Sequence, residues 1–267
     1  MDGTHHGPAA IRGVLIDLGG VVYVGSRPIE GAVGAIARLH DARLPVRFIT
    51  NTTRRCRRQV TGDLKLMGIE VSAPEVLTPA LMTRTYLERH GLAPHLLVHP
   101  DLMEDFAGLP TGGKRAVVVG DAGEHFTFQA LNSAYRALVS GADLLALAMN
   151  RNFMDADGQL SLDAGAFVTA LEFASRKRAT LFGKPSAEFF TAALAGLGCG
   201  PEEVVMIGDD AESDVGGAIA SGIRGILVQT GKYHAGDESR LAEPPAHVAA
   251  GLDEAVTWIL DQNVVPT

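Results

Sequence analysis

The segment Gly13–Asp17, followed by Leu18-Gly19-Gly20, constrains the fold more than any other part of the sequence. Its run of small and apolar residues predicts a buried strand, and Asp17 stands where that strand ends. The two glycines allow the backbone to turn sharply there and to approach a neighbouring group closely. A single Asp after a strand is weak evidence, because turns favour Asp. The interpretation therefore depends on whether other strands end in a similar way.

Three later segments repeat this arrangement with different polar residues at the end. Pro45–Ile49 leads into Thr50-Asn51-Thr52, Ala179–Phe182 into Gly183-Lys184-Pro185, and Val204–Ile207 into Gly208-Asp209-Asp210. In an open parallel sheet, ligands bind outside the carboxyl ends of the strands. We therefore expect these polar side chains to meet at one edge of a parallel sheet.

Strands alternate with amphipathic helices along the chain, which is typical of a parallel sheet covered by helices. The length of 267 residues is long for one core, and the segment from about Pro79 to Lys177 has its own alternation of strands and helices. We predict an α/β fold whose core is a Rossmann-like doubly wound parallel sheet. The core would comprise residues 1–78 and 179–267, and residues 79–178 would form an inserted α/β cap domain.

Composition limits the partners and the compartment. Apolar residues make up 46% of the chain, a fraction typical of a globular protein. The formal charge of −8 argues against a nucleic acid or an anionic membrane as partner. Cys56 and Cys199 are the only cysteines and lie far apart in sequence, so a reducing cytoplasm is expected. No secretory or membrane segment is apparent, and formation of a homodimer is left open.

Three local patterns receive ordinary explanations. The basic run Arg54–Arg58 is interpreted as a solvated face, and collection of an anionic substrate is the minority view. The Asp157-Gly158 pair predicts a hairpin turn. Glu212–Ser221 predicts a helix in which Gly216 and Gly217 pack closely against the sheet.

The four strand ends suit phosphoryl chemistry if they converge. Asp17 and Asp209 would place two carboxylates side by side, and such hard oxygen ligands suit Mg²⁺. Lys184 would neutralise a bound phosphate, while the Thr50 hydroxyl and the Asn51 backbone amide would hold its remaining oxygens. Asp17 could then attack phosphorus to give an aspartyl-phosphate that water hydrolyses.

The same residues resemble a known family. Asp17-Leu18-Gly19-Gly20, Thr50-Asn51, Gly183-Lys184-Pro185 and Gly208-Asp209-Asp210 with Asp214 are similar to the four motifs of the haloacid dehalogenase-like phosphatases. The insertion resembles the large α/β cap of the group that includes nitrophenyl phosphatases and nagD-type proteins. More narrowly, Asp121-Ala122-Gly123-Glu124 and Thr230-Gly231-Lys232-Tyr233 resemble segments of phospholysine phosphohistidine inorganic pyrophosphate phosphatase and its relatives.

The resemblance implies a role for each matched residue. Asp17 would be the nucleophile, and Mg²⁺ would be held by Asp17, the backbone carbonyl of Gly19 and Asp209. Asp210 and Asp214 are counted with the metal site, where one or the other would act through water or by orienting Lys184. A small phosphorylated molecule would be the substrate. The residues that would bind its phosphoryl group are Leu18, Gly19, Thr50, Asn51 and Lys184.

Position 19 departs from the family pattern. The first motif usually has a second Asp two residues after the nucleophile as general acid and base, and this chain has Gly19 there. Such groups contribute about 10²- to 10⁴-fold in rate. Two functions stay open: a Mg²⁺-dependent phosphatase for small phosphorylated or pyrophosphate-like molecules, and a phosphate-binding regulatory protein with little or no turnover. Dehalogenase chemistry fits less well, because Lys184 with a Mg²⁺ carboxylate pair suits phosphoryl groups.

Overall fold

The computed structural model describes residues 9–154 and 159–263. They form two compact units, each of which is described by itself. The first comprises the described residues of Met1–Ile49, Asp63–Glu75 and Phe190–Thr267, and the second comprises Thr50–Gly62 and Val76–Phe189. The predicted domain boundaries after residues 78 and 178 stay a prediction.

The described residues contain both strands and helices in alternation. The strands are β1 Gly13–Asp17, β2 Tyr23–Val24, β3 Arg27–Pro28, β4 Val46–Ile49, β5 Val76–Leu77, β6 Ala93–Leu97, β7 Arg115–Val119, β8 Asp143–Ala146, β9 Asn152–Met154, β10 Leu160–Leu162, β11 Thr180–Leu181, β12 Val204–Gly208, β13 Arg224–Val228 and β14 His247–Ala249. The α-helices are α1 Ala32–Asp41, α2 Arg57–Leu66, α3 Pro79–His90, α4 Phe128–Val139, α5 Ala164–Ser175, α6 Ala187–Ala195, α7 Gly217–Ala220 and α8 Leu252–Gln262.

The first unit is built on a parallel sheet with the strand order β14-β13-β12-β1-β4. Every residue of β1 is buried, as the apolar sequence of this strand predicts. The order reverses at β1, with β4 on one side and β12 on the other. In doubly wound folds this reversal marks the place where ligands bind. The predicted α/β class with a doubly wound parallel sheet is confirmed.

The strand register brings two predicted site segments together. Ile16 lies opposite Ile207, so the next residues in this register are Asp17 at the end of β1 and Gly208 at the end of β12. Asp209 follows directly along the chain. Helices α1 and α8 pack against each other, with Ile36 and Ile259 among their buried residues.

The second unit has its own parallel sheet, in the order β11-β8-β7-β6. Alternate residues of β7 enter two different buried clusters: Ala116 and Val118 belong to one, and Val117 and Val119 to the other. Because successive side chains of a strand point to opposite faces, both faces of this sheet are covered. Because β7 is a parallel strand buried on both faces, its sequence after Arg115 is an uninterrupted apolar run.

Two sequence predictions need comment. The predicted Asp157-Gly158 turn lies outside the described residues, although β9 and β10 on either side of it pair antiparallel. The predicted helix Glu212–Ser221 was wrong in type for its first part, because Ala211–Gly216 is a π-helical turn and only Gly217–Ala220 is α-helical. Short π-helical segments occur often at functional sites.

The longest helices of the described chain have 12 residues. A helix that crosses a bilayer needs about 20 mainly apolar residues. The described residues therefore contain no candidate membrane-spanning helix.

Candidate active site

Three buried carboxylates meet at the carboxyl end of the first unit's sheet. Asp17 ends β1, Asp209 follows β12, and Asp214 lies in the π-helical turn, and one carboxylate oxygen from each lies within 4.8 Å of the others. Their exposed fractions are only 6%, 2% and 1%. Of the predicted site residues, these three are the ones that the first unit brings together as an acidic cluster.

Two glycines make this close approach sterically feasible. A Cβ atom at Gly208 would lie 2.2 Å from the Cβ of Asp214, and one at Gly20 would lie 2.1 Å from Oδ2 of Asp209. Gly20 also has a φ of 88°, in the left-handed region that favours glycine. Side chains at these two positions would collide with the carboxylates, so the glycines are part of the site.

The loop Thr230–Lys232 fixes Asp209 and the turn after Asp17. The Thr230 hydroxyl donates a 2.6 Å hydrogen bond to the Gly20 carbonyl, and the Lys232 amide donates a 2.7 Å hydrogen bond to Oδ2 of Asp209. A Cβ at Gly231 would lie 2.0 Å from the same oxygen. These residues were missed as site residues, and their only signal in the sequence was the family resemblance of Thr230-Gly231-Lys232-Tyr233.

Asp210 is not a member of the acidic cluster. Its Oδ1 accepts hydrogen bonds from the amides of Glu212 and Ser213, at 3.2 and 2.9 Å, and so caps the π-helical turn. Its Oδ2 lies 3.3 Å from Nζ of Lys232. Burial lowers the pKa of Lys232 as the largest single influence, but the charges of Asp210, Asp214 and Asp209 together outweigh it and raise the pKa. Lys232 therefore stays protonated beside the cluster, and metal binding by Asp210 stays a prediction.

The acidic cluster fits a hard divalent cation. Two ionised carboxylates at this separation repel each other by about 3 to 4 kcal/mol at an effective dielectric constant of roughly 20. Three buried carboxylate oxygens within 4.8 Å of one another are the ligand type that Mg²⁺ prefers. A cation between them would turn the repulsion into attraction, so the donor set suits the predicted metal.

Position 19 is open. Gly19 is exposed, and a Cβ atom built there meets no atom within 4 Å. Space is therefore available at the position where the family pattern has its second Asp.

The Leu18 side chain is fully buried, and the backbone carbonyl of Leu18 accepts a 2.9 Å hydrogen bond from the Val22 amide. Phosphate binding by Leu18 and Gly19 stays a prediction.

The other predicted residues are gathered within the second unit. The Asn51 side chain donates to the Lys184 carbonyl at 2.9 Å and accepts from the Lys184 amide at 2.8 Å. Thr50 and Lys184 are both buried, with 5% and 3% exposed. A Cβ at Gly183 would lie 2.7 Å from Oδ1 of Asn51, so the glycine permits this pairing.

Arg54 belongs to the basic run that was predicted to be a solvated face, and it makes specific contacts although its side chain is 41% exposed. Its Nε donates to Oδ2 of the buried Asp121 at 2.5 Å, and its guanidinium lies 4.5 Å from the ring centroid of Phe153. The amide of Asp121 in turn donates to the Thr53 hydroxyl at 2.9 Å. These contacts join segments far apart in sequence, which explains why the basic run alone did not indicate them.

A sequence model described as "Haloacid dehalogenase-like hydrolase" matches residues 14–133, and one described as "HAD-hyrolase-like" matches residues 181–255. The human haloacid dehalogenase-like hydrolase domain-containing protein 2 is 43% identical over 251 residues, which cover 94% of this chain and 96% of the relative. The chain belongs to the haloacid dehalogenase-like hydrolase family. Phospholysine phosphohistidine inorganic pyrophosphate phosphatase of Danio rerio is 41% identical and is covered to 92%, as is this chain.

Solved structures agree with this family assignment. A p-nitrophenyl phosphatase from Archaeoglobus fulgidus superposes on this hydrolase with a TM-score of 0.85 at 25% identity, covering 94% of this chain and all of the other. NagD from E. coli K-12 shares the fold with a TM-score of 0.83 at 22% identity, covering 92% of this chain and 98% of the other. The resemblance of the insertion to the group that includes nitrophenyl phosphatases and nagD-type proteins is thereby confirmed at the level of the fold.

Proposed function

We propose that this haloacid dehalogenase-like hydrolase is a Mg²⁺-dependent phosphatase for small phosphorylated or pyrophosphate-like molecules. The observation that carries the proposal is the buried cluster of Asp17, Asp209 and Asp214 at the carboxyl edge of a doubly wound sheet. Relatives named as phosphatases, among them a phospholysine phosphohistidine inorganic pyrophosphate phosphatase and a p-nitrophenyl phosphatase, support the reaction class.

The carboxylates would have two tasks. Asp209, Asp214 and one oxygen of Asp17, with the Gly19 carbonyl, would hold the metal, and Asp210 would support them from the π-helical turn. When bound, Mg²⁺ would neutralise the carboxylates and stabilise the charge that develops on the phosphoryl group. The second oxygen of Asp17 would attack phosphorus and expel the leaving group, forming an aspartyl-phosphate that water then hydrolyses.

Lys184, Thr50 and Asn51 would bind the phosphoryl oxygens, together with the backbone near Leu18 and Gly19. A buried lysine whose backbone exchanges two hydrogen bonds with the Asn51 side chain is suited to this role, because little backbone freedom remains to be lost. Its ammonium would act as a point charge on the phosphoryl group.

The substrate class follows from Gly19. Expelling an alkoxide needs a proton at the departing oxygen, and Gly19 has no side chain to give it. Phosphoanhydrides, aryl phosphates and protonated P–N bonds need less of this help. We therefore propose that activated phosphoryl compounds are preferred over simple alkyl or sugar phosphates.

Phosphate release from 4-nitrophenyl phosphate in the presence of Mg²⁺ tests the proposed function. Wild-type protein should release phosphate from this substrate. Asp17→Asn protein with an unchanged circular dichroism spectrum should not. A folded Asp17→Asn variant with the wild-type rate would exclude the aspartyl-phosphate mechanism. A wild-type protein that binds phosphate but does not turn over any member of a panel of phosphorylated metabolites would indicate a binding protein instead.

A further inference from the structure

The second unit contains a groove of about 540 Å³ that is separate from the residues discussed above. Its lining residues come from β6, from the amino ends of β7 and β8, and from the second half of α4 with the turn after it. They include His95 in the middle of β6, Arg115 at the start of β7, Ala142 just before β8 and Arg136 on α4. The volume lies within the range typical of small-molecule sites, about 300 to 1,000 Å³.

The charge of this groove is opposite to that of the chain. Its lining, which falls wholly within the described residues, includes Lys114, Arg115 and Arg136 but no carboxylate. Lys114 forms a 3.0 Å ion pair with the neighbouring Asp143, whereas Arg115 and Arg136 form no ion pair with any described residue. A cationic groove on a protein with a formal charge of −8 is a local feature that the composition does not predict.

One further cation and several neutral hydrogen-bond donors lie at the groove. Nζ of Lys177 donates a 2.5 Å hydrogen bond to the carbonyl of Ala142, which brings another cation to the lining. The half-buried His95 ring has a lowered pKa, because burial and the charge of Arg115 both disfavour its protonation. At neutral pH it therefore offers an uncharged N–H group, and Ser133 and Ser140 add hydroxyl donors.

The C-terminus of α4 opposes an anion in the groove, since a helix end of this polarity carries about half a negative elementary charge. Full positive charges on Arg115, Arg136 and Lys177 exceed that partial charge. Guanidinium groups also match phosphate oxygens with paired N–H donors. Arg115 and Arg136 are presented by different elements, β7 and α4, so a ligand with several phosphate groups could pair with more than one of the cations.

We propose that this groove is a second anion-binding site, which takes a small molecule with two or more phosphate groups. Its residues all belong to the second unit, whereas the acidic cluster belongs to the first unit. The inference therefore does not depend on the proposed phosphatase activity.

Nuclear magnetic resonance of the full chain tests the site, with inorganic triphosphate as the probe and without Mg²⁺. The His95 ring signals and the amide signals of Gly113 and Gly141 should shift in a saturable manner, and the affinity should fall as salt is added. Arg136→Gln should weaken binding at these reporters about two- to fivefold, which is the range for an exposed ion pair. Arg89→Gln is the matched control, because Arg89 is also an exposed arginine in the last turn of a 12-residue helix of this unit, α3.

The proposal is overturned if triphosphate leaves the His95, Gly113 and Gly141 signals unchanged. It is also overturned if Arg89→Gln weakens binding there as much as Arg136→Gln, because the effect would then be one of net charge. Citrate serves as a second probe: equal affinity for citrate would contradict recognition of phosphate groups. If only signals near Asp17 or Lys184 shift, triphosphate binds there and not in the groove, and the proposal is likewise overturned.

Discussion

Asn51 and Lys184 exchange two hydrogen bonds although 133 residues separate them in the chain. The Asn51 amide nitrogen donates to the Lys184 carbonyl, and the Lys184 amide donates to the Asn51 oxygen. One side chain thus satisfies both backbone groups of the buried lysine. Asn51 thereby fixes the position from which the Lys184 side chain extends.

This pairing predicts a combined loss of stability and activity in Asn51→Ala. Both backbone groups of Lys184 would lose their partner, at a cost of about 1 to 3 kcal/mol each where they stay buried. Urea unfolding should show a lower midpoint, and kcat/KM for 4-nitrophenyl phosphate should fall. Asn51→Asp keeps the oxygen that accepts from the Lys184 amide but sets a second acceptor against the Lys184 carbonyl, so it should not restore the stability lost in Asn51→Ala. Equal stability in wild type and Asn51→Ala would contradict the role assigned to this pair.

The Thr230 hydroxyl is expected to support the acidic cluster through Gly20. Thr230→Val removes the hydrogen bond to the Gly20 carbonyl with little change in shape, at a cost of about 0.5 to 1.5 kcal/mol. The Mg²⁺ concentration for half-maximal activity should rise, because the turn after Asp17 is held less firmly. Thr230→Ser keeps the hydroxyl and should restore the wild-type value. No increase in Thr230→Val would mean that the hydrogen bond to the Gly20 carbonyl does not support metal binding.

Gly20→Ala should lose both stability and Mg²⁺ binding. The added Cβ would lie 2.1 Å from Oδ2 of Asp209, and the backbone has a φ of 88°. Gly25→Ala is the control, because Gly25 has a φ of 61° with no atom within 4 Å of an added Cβ. The control should lose only about 1 to 2 kcal/mol, the cost of a left-handed conformation. Thermal unfolding with and without Mg²⁺ separates the two effects, and equal losses in the two variants would rule out the predicted collision.

Asp214→Asn should change the response of the protein to metal. Removing one of three clustered negative charges relieves repulsion, so the metal-free variant should unfold at a temperature equal to or above that of wild type. Added Mg²⁺ should raise the unfolding temperature of wild type. At a Mg²⁺ concentration 100 times the dissociation constant, the free energy of unfolding should increase by about 2.7 kcal/mol. Both increases should be much smaller in the variant. An equal gain from Mg²⁺ in both proteins would mean that Asp214 does not help to hold the metal.

Gly19→Asp tests the leaving-group preference. Because a Cβ at position 19 meets no atom within 4 Å, the variant should fold normally. Across aryl phosphates of similar size and graded phenol pKa, wild-type kcat/KM should fall steeply as the leaving group becomes more basic. Gly19→Asp should flatten this dependence and help the poorest leaving groups most, by up to about 10²-fold. Parallel lines for the two proteins would show that another group already supplies the proton.

Local sequence was sufficient for the four strands that end in the candidate site residues. The apolar run Gly13–Asp17 is buried throughout, as predicted, because a central strand of a parallel sheet is covered on both faces. The alternation of strands and helices likewise indicated the α/β class. The sequence also predicted that Asp17 and Asp209 would lie side by side if the strand ends converged, since ligands bind outside the carboxyl ends of the strands in an open parallel sheet.

Tertiary structure alone decided what holds the cluster together. Asp214, which the family resemblance had already assigned to the metal site, lies beside Asp17 and Asp209 on a π-helical turn where the sequence predicted an α-helix. Only the fold brings in the hydrogen bonds from the Thr230–Lys232 loop and the pair between Arg54 and Asp121, which join segments distant in sequence. Sequence patterns report the environment of neighbouring residues along one element. The contacts that position this site depend instead on how loops from separate elements pack, and no single segment encodes that.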